Sequence, residues 1–360
     1  MNSQPRNGGR VLIDTLVANG VDRVFCIPGE SYLAALDALH DTPSIQVHVN
    51  RNEGGAAYMA DAYGKLTGRP GICFVTRGPG ATNASPGLHV AYQDSTPMIL
   101  FIGQVARGDL DREAFQEIDY RRMFGQVTKW VAQIDDAARI PEYVNRAFTT
   151  AMSGRPGPVV LALPADMLTD MVNVPDMPAA PAVVTQPGQA DVAAALDLLA
   201  SAQRPVVVAG GSIWSEDARR HLEAFASAWD VPVATSFRCQ DYFNNNDAHY
   251  VGDLGIAISP GLAAAVKDAD VVLCIGARLG EMTTRSYSLL DIPNPRQHLI
   301  HVHASAEELG SVYHPTLAVH ASPAAFTQAI ASAPAPAHRP WAAHRAALRA
   351  DFEQWTTPTT

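Results

Sequence analysis

The sequence predicts an α/β protein made of two doubly wound parallel-sheet domains, and three observations carry that prediction. Short apolar runs rich in valine and isoleucine alternate with helical patterns of ten or more residues, which implies βαβ units and a sheet covered on both faces. The alternation runs its course twice, interrupted by the proline-rich stretch DMVNVPDMPAAPAVVTQPG. The length of 360 residues exceeds one ordinary core, since about 150 residues per domain is the usual size.

The first domain is expected over residues 1–168. It opens with the helical pattern GRVLIDTLVANG, then strand RVFCI, helix SYLAALDALH and strand IQVHV. Helix 54–66, strand GICFVT, helix 80–92, strand MILFIG, a helix near 141–153 and strand PVVLAL complete it. A linker over 169–188 leads to a second domain over 189–332. There helix DVAAALDLLAS, strand PVVVAG, helix 216–229, strand PVAT, helix 260–267, strands DVVLCIG and HLIHVH and helix SPAAFTQAI follow in order. Residues 333–360 read as a Pro/Ala-rich linker and an amphipathic helix leading towards a further domain.

Composition excludes several classes of function. With 47% hydrophobic and 17% charged residues the chain is of globular type. A net charge of -10 repels phosphate backbones and anionic membranes, so neither nucleic acid nor membrane is an expected partner. Cys26, Cys73, Cys239 and Cys274 are scattered without CxxC spacing, and read as small core residues in a reducing compartment. No apolar leader or membrane-length run is present, and a cytoplasmic location is expected.

The glycine turn TRGPGATN, between strand GICFV and a helix, first suggests a phosphate cradle. Gly78 and Gly80 fit a dinucleotide fingerprint, but its third glycine position holds Asn83, and MILFIG does not end in the acidic residue a ribose requires. Glu53 is more informative. It opens a helix at the carboxyl end of a parallel strand, where open α/β sheets bind ligands, and Gly54, Gly55, Ala56 and Ala57 leave no bulk beside it. Read blandly, it is a helix N-terminal charge. Four strand ends, carrying Ile27-Pro28-Gly29, Asn52-Glu53, Thr76 to Gly80 and Gly103-Gln104, would meet on one sheet edge and form a pocket.

The ordered set IPGE, NEGGAAYMADAYGKLTGRPG, TRGPGATN, DSTPMILFIGQV and AFQEID resembles the pyrimidine-binding domain of thiamine-diphosphate enzymes of the acetolactate synthase type. The linker and second α/β domain resemble that family's central domain. The resemblance implies that Glu53 hydrogen-bonds the cofactor's aminopyrimidine ring nitrogen and does general acid–base work there. It further implies that Ile27, Pro28 and Gly29 line the pyrimidine site with Thr76, Pro79, Asn83 and Gln104, and that Phe115 and Gln116 lie near the substrate. Asn52 and Arg77 stand where relatives often carry a histidine and a small polar residue, which leaves the particular substrate open.

In the second domain, Gly210-Gly211 and Gly276-Ala277-Arg278 follow strands. Comparable turns hold FAD in acetolactate synthases, and ADP or nothing in relatives. His303 and Ser305 replace acidic residues of many relatives, which counts against an adenine-nucleotide site. His301 and His303 share one strand face but have no third ligand nearby in sequence, so no metal site is expected in this chain.

The family binds the cofactor diphosphate and Mg²⁺ through a Gly-Asp-Gly segment in a third domain, and this sequence contains no such run. The resemblance therefore implies a chain inactive alone, working in a homo-oligomer of at least two subunits with the active site at their interface. The expected activity is a carboligase or decarboxylase acting on a 2-oxo acid. A 2-hydroxy-ketone lyase and a noncatalytic assembly module are the alternatives.

Overall fold

A computed structural model describes residues 4–358. The chain forms two compact units that divide between Val183 and Val184.

In the first unit, strand β1 (Arg6–Asn7) precedes helix α1 (Gly8–Ala18), whose first turn is capped by the Asn7 side chain accepting from the Arg10 amide at 2.8 Å. Then follow β2 (Arg23–Cys26), α2 (Leu33–His40), β3 (Gln46–Val49), α3 (Glu53–Thr67), β4 (Gly71–Val75), α4 (Gly78–Gln93) and β5 (Met98–Gln104). After a long loop come α5 (Tyr120–Phe124), β6 (Trp130–Gln133), α6 (Ile140–Met152), β7 (Pro158–Pro164) and β8 (Met171–Val172). Six strands form a parallel sheet in the order β3-β2-β4-β5-β7-β6, while β1 and β8 pair as a short antiparallel ribbon.

Both faces of this sheet are covered, so its inner strands are apolar without interruption. One face packs the stacked rings of Tyr32, Phe74 and Phe101 against α1, α2 and α6. The other packs small residues of α3 and α4 against Cys73, Leu100 and Val160. Gly87 brings those two helices close, since a Cβ there would lie 2.5 Å from that of Ala57. Inside α4, Pro86 has no amide to give the Thr82 carbonyl, and the Ser85 hydroxyl donates to it instead at 2.7 Å.

The second unit runs α7 (Gln189–Ala200), β9 (Pro205–Ala209), α8 (Glu216–Trp229), β10 (Val233–Ser236), β11 (Tyr250–Leu254), α9 (Pro260–Asp268) and β12 (Val271–Ile275). It continues through β13 (His298–His303), β14 (Leu317–His320), α10 (Pro323–Ile330) and α11 (Ala342–Thr356). Its sheet is also parallel and six-stranded, in the order β11-β10-β9-β12-β13-β14.

The helix expected near the end of the sequence is present, and it is docked on this unit. Trp341, fully buried, donates its indole N–H to the Trp229 carbonyl at 3.0 Å, and Arg345 pairs with Asp230 at 2.9 Å. Leu348 is buried against α9 and β11. The two Gly-Asp-Leu strings nearest to a diphosphate motif lie in a single 3-10 turn (Gly108, Asp109) and inside β11 (Gly252, Asp253).

Candidate active site

Chain order sets the place of the first unit's site. From β2 the chain moves outward to β3, then crosses back through α3 to β4 on the other side of β2. The carboxyl ends of β2 and β4 therefore diverge at a topological switch point, where doubly wound sheets bind ligands. Ile27, Pro28 and Gly29 leave β2 there, and Thr76 to Gly80 leave β4 beside them.

These turns touch. A Cβ on Gly29 would fall 2.6 Å from the Thr76 Cβ, so no larger residue fits without displacing that wall. The Ser31 and Thr76 hydroxyls are hydrogen-bonded at 2.9 Å, and Tyr32 donates its phenol to the Ile27 carbonyl. Burial pushes the Tyr32 phenol well above its ordinary range, helped by Cys26, Cys73 and the Glu53 charge.

Glu53 is the first residue of α3, fixed by Asn52, whose side chain caps the helix by accepting from the Gly54 amide at 2.9 Å. The side-chain amide of Asn83, on α4, donates to Glu53 Oε2 at 3.0 Å. Oε1 accepts no hydrogen bond from the described residues and faces Gly80, where a Cβ would lie 3.6 Å away. The half-buried carboxylate thus has one oxygen anchored and one open, beside a gap that a side chain at Gly80 would fill.

The structure brings Glu53, Asn83, Thr76, Gly29 and Ile27 to this edge, with Pro28 and Pro79 exposed at its rim. Gln104 plays a different part from the one its position suggests. It is 2% exposed, donates to the Ile118 carbonyl at 3.0 Å and accepts from the Val105 amide at 3.0 Å, so it braces the loop after β5. That loop lays Gln116, at φ +67°, over Gly78, whose own φ is +25°. Beside it Phe115 projects into solvent, 74% exposed. Arg77 turns aside to pair with Glu30 at 2.9 Å.

Three contributors had escaped the sequence reading. Ser31 and Tyr32 brace the wall, and Tyr120 accepts from the Gly78 amide at 3.1 Å, its phenol pushed up to about 12 by burial. Gly103 inside β5 was the available signal for Ser31, because a strand glycine marks a close approach. A Cβ there would fall 2.0 Å from the Ser31 hydroxyl.

The second unit also has a switch point, between β9 and β12, and its ends carry Gly210, Gly211, Gly276, Ala277 and Arg278. Here the two turns pack closely on each other. A Cβ on Gly211 would lie 1.9 Å from the Gly276 carbonyl oxygen. The Gly210 and Gly211 carbonyls accept from the Trp214 indole at 2.8 Å and the Tyr242 phenol at 2.9 Å, with the two rings stacked. His301 is hydrogen-bonded to the Ala277 carbonyl at 3.0 Å, and His303 accepts from the Ser305 amide at 3.0 Å. Among the described residues, no group of three or more His, Cys, Asp or Glu side chains could hold a metal. One cavity near these turns, lined by Arg278, Tyr287, His301, Glu308 and Tyr313, measures about 60 Å³.

Residues 6–123 match the family model described as thiamine pyrophosphate enzyme, N-terminal TPP binding domain, and residues 192–330 match that of the central domain. The chain belongs to the thiamine pyrophosphate enzymes. Relatives include the acetolactate synthase large subunit of Parasynechococcus marenigrum, 37% identical over 316 residues, 85% of this chain and 51% of that protein. The mitochondrial acetolactate synthase of Schizosaccharomyces pombe is 32% identical over 87% of this chain and 50% of its own length. For a probable acetolactate synthase large subunit of Methanocaldococcus jannaschii the figures are 33%, 84% and 52%. The chain spans about half the length of the curated relatives it matches.

Family membership implies thiamine diphosphate. The first unit's site fits the pyrimidine half of that group: an open carboxylate oxygen, a bare glycine beside it and a wall of backbone and small side chains. Among the described residues, no helix is long and apolar enough to cross a membrane.

Proposed function

We propose that this chain supplies the pyrimidine-binding side of the active site of a carboligase or decarboxylase acting on 2-oxo acids. The observation that carries this reading is Glu53, held by Asn83 through one oxygen and open at the other beside Gly80. Thiamine diphosphate, when bound, supplies a nucleophilic carbon that adds to the substrate carbonyl and accepts the electron pair left by departing CO₂.

This chain's residues would bind and orient that group. Glu53 Oε1 exchanges a proton with the ring nitrogen, a transfer that requires the two atoms within hydrogen-bond reach. Asn83 keeps the carboxylate from rotating away, and Gly80 admits the ring to its open oxygen. Ile27, Pro28, Gly29, Thr76 and Pro79 line the ring, while Gln104 holds the loop that presents Phe115 and Gln116 to the 2-oxo acid. The diphosphate and Mg²⁺ would be held by a further domain. In a homo-oligomer of at least two subunits, a partner subunit would supply it and the site would lie at the interface.

The test is CO₂ release from pyruvate by the protein purified in its native assembly, with and without thiamine diphosphate and Mg²⁺. Release that requires both is expected. An assembly that contains this chain, binds the cofactor and releases no CO₂ from any small 2-oxo acid would make it a noncatalytic module instead.

A further inference from the structure

We propose that Tyr120 is a positioning residue for Glu53, acting through α4: it caps the first turn of that helix and so keeps Asn83 in place against the carboxylate. The inference rests on the reading of Glu53 as the group that exchanges a proton with the cofactor ring.

The start of α4 has no side-chain cap of its own. A helix leaves its first amides without partners inside the helix, and the side chain just before it ordinarily accepts from one of them. Arg77 holds that position, carries no side-chain oxygen and makes no cap hydrogen bond, while Gly78, the first helical residue, sits at φ +25°. The Tyr120 phenol oxygen takes the role instead, accepting from the Gly78 amide at 3.1 Å in a buried contact. Gln116 closes over the same residue, since a Cβ on Gly78 would lie 2.8 Å from the Gln116 carbonyl oxygen. The helix therefore begins where the segment after β5 holds it.

An interruption further along α4 makes that hold matter. Pro86 has no amide to give the Thr82 carbonyl, so residues 78–85 lack one of the backbone bonds that would tie them to the rest of the helix. This segment carries both residues that act on the carboxylate. Gly80 faces Glu53 Oε1, and Asn83, about 7.5 Å along the axis from Gly78, donates to Oε2 at 3.0 Å. The Thr82 hydroxyl donates back to the Gly78 carbonyl at 3.0 Å, so the residue gripped by Tyr120 is bonded to the neighbour of Asn83.

Tyr120 is itself firmly placed. Asp119 caps α5 by accepting from the Arg121 and Arg122 amides at 3.0 and 3.2 Å, and Gln104 donates to the nearby Ile118 carbonyl at 3.0 Å. The Tyr120 ring is 3% exposed, belongs to the apolar cluster that includes Ala81, Ala84 and Leu88 of α4, and stacks on Phe124 with centroids 6.3 Å apart. Packing therefore holds the ring without help from the hydroxyl. Tyr120→Phe removes the cap and leaves the ring where it is.

The test compares Tyr120→Phe, Asn83→Ala and the double variant, each as the full chain in its native assembly. In the cofactor-free protein, amide hydrogen exchange over residues 76–85 should rise about tenfold in Tyr120→Phe, the equivalent of one ordinary hydrogen bond. With thiamine diphosphate saturating, deuterium exchange at its reactive carbon should slow about tenfold in the same variant. The double variant should be no more than about twofold slower than Asn83→Ala, because the second change acts through the contact that the first removes. A cap of structural importance alone would lower the melting temperature and leave exchange at that carbon at the wild-type rate, which overturns the proposal. So do unchanged amide exchange over residues 76–85, or effects that multiply in the double variant. Glu53→Gln in the same assay separates the two readings. If it is slow while Tyr120→Phe exchanges at the wild-type rate, the role of Tyr120 alone is refuted; if Glu53→Gln itself exchanges at the wild-type rate, the reading of Glu53 fails and this inference fails with it.

Discussion

Gly80→Ala separates the space beside Glu53 from the stability of the fold. The new methyl would stand 2.9 Å from the Thr76 γ-methyl and 3.6 Å from both Glu53 Oε1 and the Val75 Cβ. The first contact is tight, but Thr76 can give at its tip, so overpacking should cost about 1 kcal/mol, the low end of its usual range. Replacing glycine by alanine in a helix returns about 0.5–1 kcal/mol. The net change is therefore within about 1 kcal/mol, or about 2–4 °C in melting temperature for a unit of this size. The other contact fills the approach to the open carboxylate oxygen. A ring pushed back by about 1 Å loses on the order of a hundredfold in rate. Circular dichroism melts and thiamine-diphosphate-dependent CO₂ release, measured on one preparation, read the two effects apart. Activity within about twofold of wild type, a barrier change of roughly 0.4 kcal/mol, in a variant of unchanged stability would refute the assignment of that space.

Further consequences can be checked separately. Asn83→Ala removes a hydrogen bond to a charged group, worth about 1.5–3 kcal/mol, and should lower kcat roughly 10- to 100-fold with little change in the KM for the 2-oxo acid. Gly103→Ala should destabilise the first unit by about 1–3 kcal/mol in urea denaturation, because its Cβ would meet the Ser31 hydroxyl at 2.0 Å, and Ser31→Gly in the same chain should restore part of the loss. Trp341→Ala should cost the second unit about 3–5 kcal/mol and lower its melting temperature by roughly 10 °C, since the ring is fully buried. Burial lowers the His301 pKa from its ordinary 6.5, so the unfolded chain takes up that proton first. Its contribution to stability is full above about pH 6.5 and declines on acidification until the folded ring protonates; His301→Gln should flatten that decline in pH-dependent melts.

Interior strands were legible in the sequence because burial on both faces makes them continuous apolar runs, as in GICFV and PVVVA. Besides the two-residue ribbon strands β1 and β8, the strands that escaped were β6, β11 and β14, and each of these three lies at an edge of its six-stranded sheet. There one side lacks a neighbour, polar residues enter, and sequences such as YVGDL and LAVH lose the pattern. Glu53 and the strand ends around it could be read because chain order places them at the switch point. The roles of Asn83 and Gln104 could not, since the first depends on how α3 and α4 approach and the second on a loop that folds back to Ile118. Likewise, a glycine-rich turn identifies a crevice but does not show that Trp214 and Tyr242 hydrogen-bond its carbonyls.

Glu53→Gln tests the central claim most directly. The substitution keeps the side chain's length and an oxygen for the Asn83 amide while removing the group that exchanges a proton. The measurement is deuterium exchange at the reactive carbon of thiamine diphosphate bound to the protein in its native assembly, alongside cofactor affinity. Exchange slowed by roughly 10²–10⁴-fold, the usual contribution of a positioned acid–base group, is the predicted result. Exchange at the wild-type rate with the cofactor fully bound would contradict the role given to Glu53.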